Sequence, residues 1–235
     1  MSERKLVVKN IMWDVDGVLA NLDHAYLRLV KEHPAFKGKF ANVTTEADLE
    51  NALTIDPKFG SLELKVHPTM GRELDREFCR NSGGIYYDRP LYPHVKEVLA
   101  RLDKEGYKQL TMSSGFDSEI KKKMIRDTLD GLDFMIIEVN EHSKAGSAAN
   151  DQARHMIGEK EQKILDCLAK YKLKADETVL VDDRIFNCDT AVKIGMRAVR
   201  CTPGITAPTP SGKPYPTVRN VEEFSRWLHE NTIRE

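Results

Sequence analysis

Cysteine is scarce in this chain. Four occur in 235 residues, at Cys79, Cys167, Cys188 and Cys201, too widely spread for a metal knuckle or a disulfide scaffold. They read as reduced thiols. Long hydrophobic runs are missing, since no stretch approaches the ~18 apolar residues that a membrane-spanning helix needs. The opening Met-Ser-Glu-Arg-Lys lacks the apolar segment of a secretory signal. An excess of one charge is missing as well: 36 Lys plus Arg face 37 Asp plus Glu, for a formal charge of -1. A nucleic-acid polymer binder relies on a broad positive field, which this balance does not supply. The expectation is a cytoplasmic protein, monomer or homodimer, with no membrane and no nucleic-acid polymer as partner. At 40% hydrophobic and 31% charged residues, the chain suffices for one large domain or for a core with an attachment.

The apolar segments are short and alternate poorly, as parallel strands covered on both faces do. Strands are predicted at Leu6 to Trp13, Tyr107 to Met112, Phe134 to Val139, Thr178 to Val181 and Arg197 to Arg200. Helical periodicity separates them. Val95, Val98, Leu99 and Leu102 repeat at three- and four-residue spacing, and Ile120, Met124 and Leu129 do so within a lysine-rich surface. Ile164, Leu165, Leu168 and Tyr171 mark the clearest amphipathic helix, and Ala191, Val192 and Ile194 mark a short one before Gly195. Asn140 to Gly158 reads as a loop excursion with a short helix toward Ile157. Thr202 to Pro216, holding five prolines, reads as an irregular surface crossing before a helix from Val221 to about His229. This alternation predicts an α/β fold with a Rossmann-like parallel sheet.

Residues 20–90 break the rhythm. Helices are expected around Leu22 to Val30 and Gly71 to Cys79, with an ambiguous stretch between and Gly83-Gly84 near the end. An insertion directly after a strand's carboxyl end sits over the edge where open α/β sheets bind ligands, the place for a lid. The expected organisation is a core of residues 1–19 and 91–235 with a mainly helical cap of residues 20–90.

Three predicted strand ends carry polar groups to that edge. The first delivers Asp14 and Asp16, two carboxylates spaced two apart and followed by Gly17. The second delivers Ser113, Ser114 and Gly115. The fourth delivers Asp182 and Asp183, with Asn187 and Asp189 soon after. Crowded carboxylates repel, so packing alone does not account for them. The arrangement suits phosphoryl chemistry: Asp14 attacks phosphorus to form an aspartyl-phosphate, and Asp16 protonates the leaving alcohol and then activates water. Mg²⁺ fits the hard oxygen ligands that Asp14 and Asp183 offer. The Ser113 hydroxyl is placed to hold nonbridging oxygens.

The order and spacing of these pieces resemble the haloacid dehalogenase superfamily, over about Val8 to Leu19 and Leu91 to Arg200. Asp14-Val15-Asp16-Gly17-Val18-Leu19 looks like its first motif, Thr111-Met112-Ser113-Ser114 like its second, and Leu180 through Asn187 like its fourth in a double-Asp form. The resemblance implies a phosphatase-like member with an inserted helical cap, because an acid/base Asp two residues after the nucleophile marks phosphatases and phosphomutases. It further implies that the Asp16 backbone carbonyl binds Mg²⁺ and that Asp183 is a direct ligand. Asp182 is then a second acidic position, and Asn187, Asp189 or a water completes the shell. The third motif requires a lysine at the start of the helix before the fourth strand. Lys160 is the choice, with Lys163 and Lys144 as rivals, since the usual following proline is absent.

The expected activity is Mg-dependent hydrolysis of a small phosphate monoester. A phosphomutase using the same aspartates and a non-catalytic binding module of the same fold are the alternatives. His24, Arg72 and Ser114, with His67 and Arg89, are candidate contacts for a small phosphorylated metabolite. In caps, however, lone histidines and arginines are more often surface or turn residues.

Overall fold

The computed structural model describes residues 6–34, 36, 38–53, 89–115, 118–141 and 149–233, with side chains described for those residues outside 141–159. Six strands form one parallel sheet: β2 (Asn10–Trp13), β3 (Lys108–Gly115), β4 (Ile136–Glu141), β5 (Thr178–Asp182), β6 (Arg197–Cys201) and β7 (Thr217–Val218). Their order is β4-β3-β2-β5-β6-β7, so β2 lies between β3 and β5. The predicted first strand is split. Leu6–Val7 (β1) leaves the main sheet and pairs in parallel with Thr232–Ile233 (β8). The polar Lys9-Asn10 pair marks the break, where the Lys9 amide turns to the Glu177 carbonyl at 2.9 Å.

Helices cover both faces, and the period of two along each strand decides which side chain meets which layer. Ile11, Trp13, Val179, Val181 and Val199 pack against α1 (Leu22–Glu32), α3 (Val95–Lys104), α4 (Ser118–Thr128) and α7 (Val221–Asn231). Met12, Leu110, Met112, Leu180 and Ala198 face α5 (Ala149–Lys170) and α6 (Ile185–Lys193) through Ile164, Leu168, Cys188 and Ala191. Gln109 lies on the first face without leaving a polar group unmet. It accepts from the Trp13 indole at 3.1 Å and donates to the Leu99 carbonyl at 2.8 Å. The fold is thus α/β, a Rossmann-like parallel core with a helical cap, as expected.

Two expectations change in the region before β5. Helix α5 runs unbroken over 22 residues from Ala149, so most of the anticipated loop excursion is helix and Lys160 lies at mid-helix. The Gly158 read as a boundary costs a helix only ~1 kcal/mol, and no proline interrupts Ala149 to Lys170. Strands β7 and β8, two residues each, were not anticipated, because so short a pair leaves no periodic signal. The helix anticipated at Gly71 to Cys79 and the Gly83-Gly84 pair lie outside the described residues. Before them, α2 (Glu46–Ala52) starts at a capping box in which the Thr45 and Asp48 side chains satisfy each other's backbone amides.

The inserted segment departs and returns at one place. The Asn21 amide donates to the Pro90 carbonyl and the Tyr92 amide to the Leu19 carbonyl, both at 2.9 Å, around an antiparallel bridge between Ala20 and Leu91. Helix α1 is then fastened to the core by Asp23, whose Oδ2 accepts the Ile205 amide at 2.6 Å. A Cβ on Gly204 would fall inside contact with both the Asp23 carboxylate and the Tyr92 hydroxyl. Gly204→Ala is therefore expected to cost roughly 1–3 kcal/mol and lower Tm by about 3–10 °C. Thermal unfolding measures this, and an unchanged Tm would mean that the α1 anchor yields freely.

Candidate active site

The parallel register assembles the site. Trp13 is paired with Thr111 on one side and with Val181 on the other, so the next residue of each strand meets at the carboxyl edge. Asp14 continues the ladder, its amide donating to the Val181 carbonyl at 2.9 Å. Asp14, Asp182 and Asp183 are all buried, and one carboxylate oxygen from each lies within 4.8 Å of the others. Gly17 makes room for this approach. Its φ of +81° is left-handed, and a Cβ there would stand 2.8 Å from Asp183 Oδ2.

The amine of Lys160 reaches the cluster from α5. It lies 3.5 Å from Asp14 Oδ1 and 3.5 Å from Asp182 Oδ2, and it donates to the Met112 carbonyl at 2.9 Å. Burial opposes its charge, but Asp14 and Asp182 outweigh burial and push it above the usual lysine range. Lys163 lies one turn on, and Lys144 falls outside the described residues.

The two neighbouring aspartates differ in their surroundings. Asp182 is held on both oxygens, by the Arg184 amide at 2.9 Å and by the Asn187 side-chain amide at 2.9 and 2.8 Å. Asp183 Oδ1 is buried and has no hydrogen-bond partner among the described residues. Burial, reinforced by the Asp14 carboxylate, raises Asp182 to about 7; burial, Asp182 and Asp14 raise Asp183 well above the ordinary carboxylate value. A hard divalent cation fits this donor set. It would offset the crowding of three carboxylates and give the buried Asp183 oxygen a partner.

Asp16 points to a different group of side chains. Arg89 donates to its Oδ1 and Lys121 to its Oδ2, and Lys121 also reaches the Ser114 carbonyl at 2.8 Å. Burial acts to raise Asp16, but Arg89 and Lys121 prevail and hold it below the ordinary carboxylate range. Arg184, also buried, adds its attraction for both Asp14 and Asp16. Ser113 is buried at the tip of β3, its hydroxyl without a hydrogen-bond partner among the described residues.

Other anticipated residues have different partners or lie outside the described residues. The Asp189 carboxylate accepts from Lys213 at 2.8 and 2.6 Å and from the Tyr215 hydroxyl at 2.9 Å, instead of joining the cluster. His24 sits in the first turn of α1, where its amide is capped by Asn21. Arg72 and His67 lie outside the described residues. Lys121 does not stand out within its run of three lysines, but it shares a helical face with Met124 and Ile125 at three- and four-residue spacing. That pattern marks a buried position.

The strand-tip aspartates and the sheet order agree with sequence comparison. The chain belongs to the haloacid dehalogenase-like hydrolases, whose family model matches residues 8–195. No curated protein shows a sequence match. Similar solved structures include a predicted phosphatase from Clostridium acetobutylicum, at 14% identity and TM-score 0.61, covering 95% of this chain and 99% of its own. Another is a predicted phosphoglycolate phosphatase from Haemophilus somnus, at 14% identity and TM-score 0.59, covering 93% and 97%. A dehalogenase reaches TM-score 0.59 at 14% identity, covering 96% and 98%. At such identities the likeness is one of fold.

Proposed function

We propose that the protein is a phosphatase that hydrolyses a small phosphate monoester through an aspartyl-phosphate on Asp14. The carrying observation is the placement of a buried Asp14 beside the Lys160 amine, within a second pair of aspartates and two residues before Asp16. In this reading Lys160 orients the Asp14 carboxylate for attack and balances the charge that gathers on the phosphoryl oxygens. Ser113 presents its hydroxyl to one of those oxygens. Asp16 gives a proton to the leaving alcohol and later takes one from water. Mg²⁺, held by Asp14, Asp183 and the Asp16 backbone carbonyl, would supply charge neutralisation and in-line alignment. Asp182, fixed by Asn187 and Arg184, positions Lys160. Residues 20–90 would form the cap that selects the ester.

The test is phosphate release from a panel of phosphomonoesters with and without Mg²⁺, alongside Asp14→Asn. Robust metal-independent turnover would overturn the mechanism.

Stability gives a second check. Asp182 and Asp183 bind protons more tightly when folded than when unfolded, so their contribution is fully present below about pH 4. It is lost as pH rises through their raised folded values, about 7 for Asp182. In a chelator, Tm is expected to fall across that window. The increase in Tm given by Mg²⁺ should grow over the same range, because only ionised carboxylates bind the ion. A Mg²⁺ increment that does not change with pH would contradict this assignment of the ligands.

A further inference from the structure

Both oxygens of Asp16 are taken up, one by Arg89 and the other by Lys121. A group that hands a proton to a leaving alcohol must turn an oxygen toward that alcohol, so one of the two donors has to let go. All three side chains are at least largely buried, and Arg89 and Lys121 are 3% and 2% exposed. Water is therefore a poor replacement partner for a released cation, and an unmatched buried charge is costly. The replacement has to arrive with the substrate. The pair also shows what it is shaped to hold, because the group it grips in this structure is itself a carboxylate. A planar guanidinium beside an ammonium suits that shape. Arg184, the residue that caps α6, adds its attraction for Asp14 and Asp16.

Building on the phosphatase reading above, we propose that the leaving alcohol carries a carboxylate, so that the substrate is a phosphorylated hydroxy acid, and that Arg89 and Lys121 are its specificity determinants. The substrate carboxylate takes over a donor from Asp16, and the freed Asp16 oxygen, carrying a proton taken from water, turns to the ester oxygen. It gives that proton to the leaving alcohol and recovers one from the water that discharges the aspartyl-phosphate. An ester with a neutral alcohol brings no replacement and leaves Asp16 clamped. The site thus couples recognition of the leaving group to release of the acid/base group.

The test separates binding from turnover. Calorimetry on the Asp14→Asn protein with Mg²⁺ compares 2-phosphoglycolate with ethyl phosphate, and 3-phosphoglycerate with glycerol 3-phosphate. At least one acid is expected to bind tenfold or more tighter than its neutral counterpart, and Arg89→Gln or Lys121→Met should bring that ratio close to one. Turnover by the protein with Asp14 intact should show the same preference, with the two substitutions raising KM for the acid by about tenfold or more. Equal affinities within both pairs overturn the proposal, as do substitutions that weaken acid and neutral ester by the same factor. The p-nitrophenyl phosphate control tests the underlying reading independently, because an aryl leaving group has little need of an acid. If that ester is hydrolysed and no acid is preferred, only the carboxylate proposal fails. If nothing is hydrolysed while the acid still binds selectively, the phosphatase reading fails and the carboxylate site stands.

Discussion

Asp14→Asn is expected to abolish phosphate release, by at least ~10⁴-fold in kcat, while the protein stays folded. The amide has nearly the shape of the carboxylate, and the backbone amide of residue 14 still reaches the Val181 carbonyl. What is lost is the nucleophilic oxygen. Removing one of three crowded carboxylates also relieves repulsion with Asp182 and Asp183, so Tm without Mg²⁺ is expected to hold or rise. Lower activity combined with higher stability is the mark of a group held in place for chemistry and not for packing. Steady-state kinetics and thermal unfolding on one preparation check both halves. Turnover within tenfold of the unsubstituted protein would remove Asp14 from the mechanism.

Lys160→Met is expected to have the second largest effect, lowering kcat by roughly 10²–10⁴-fold. The Lys160 amine lies 3.5 Å from both Asp14 and Asp182, at side-chain exposures of 8%, 8% and 0%. Methionine fills a similar volume, so the packing of α5 on the sheet is preserved, but two buried carboxylates lose their cation. Asp182, which Lys160 holds down, should keep its proton to higher pH, and the pH at which kcat rises should move upward. Lys163→Met, one turn along the same helix, serves as the comparison and should change kcat by less than tenfold. If Lys163→Met proves damaging and Lys160→Met nearly silent, the proposed roles of the two lysines are wrong.

The strands that carry the chemistry are legible because Ile11 to Trp13 and Val179 to Val181 are apolar runs ending abruptly in Asp, and Leu110 to Met112 leads into Ser113. Their parallel register then brings Asp14, Ser113 and Asp182 to one edge. Lys160 is legible through the chemical need of a cation beside Asp14. The start of its helix is not, because a single glycine is too weak a signal to interrupt α5. Arg89 entered only as one of several candidate contacts, and Lys121 and Arg184 not at all. A lysine that neutralises a distant aspartate in space looks, in sequence, like any lysine on a basic helix. Only its spacing to Met124 and Ile125 set it apart. Asp189 shows the reverse error, since proximity along the chain to Asp183 suggested a shared role. Helix α6 instead turns it toward Lys213 and Tyr215.

The paired segments Leu19–Asn21 and Pro90–Tyr92 bear on how such a chain can change over evolutionary time. Because the insertion begins and ends at hydrogen-bonded neighbours, its two ends stay together whatever lies between them. Closing a loop already pinned at its base depends only weakly on length, about 0.6 kcal/mol for each doubling. Segments there can be lengthened, shortened or exchanged with little penalty to the sheet. The partner that such exchange must keep is Arg89, the residue just before the returning segment, since it reaches back to Asp16.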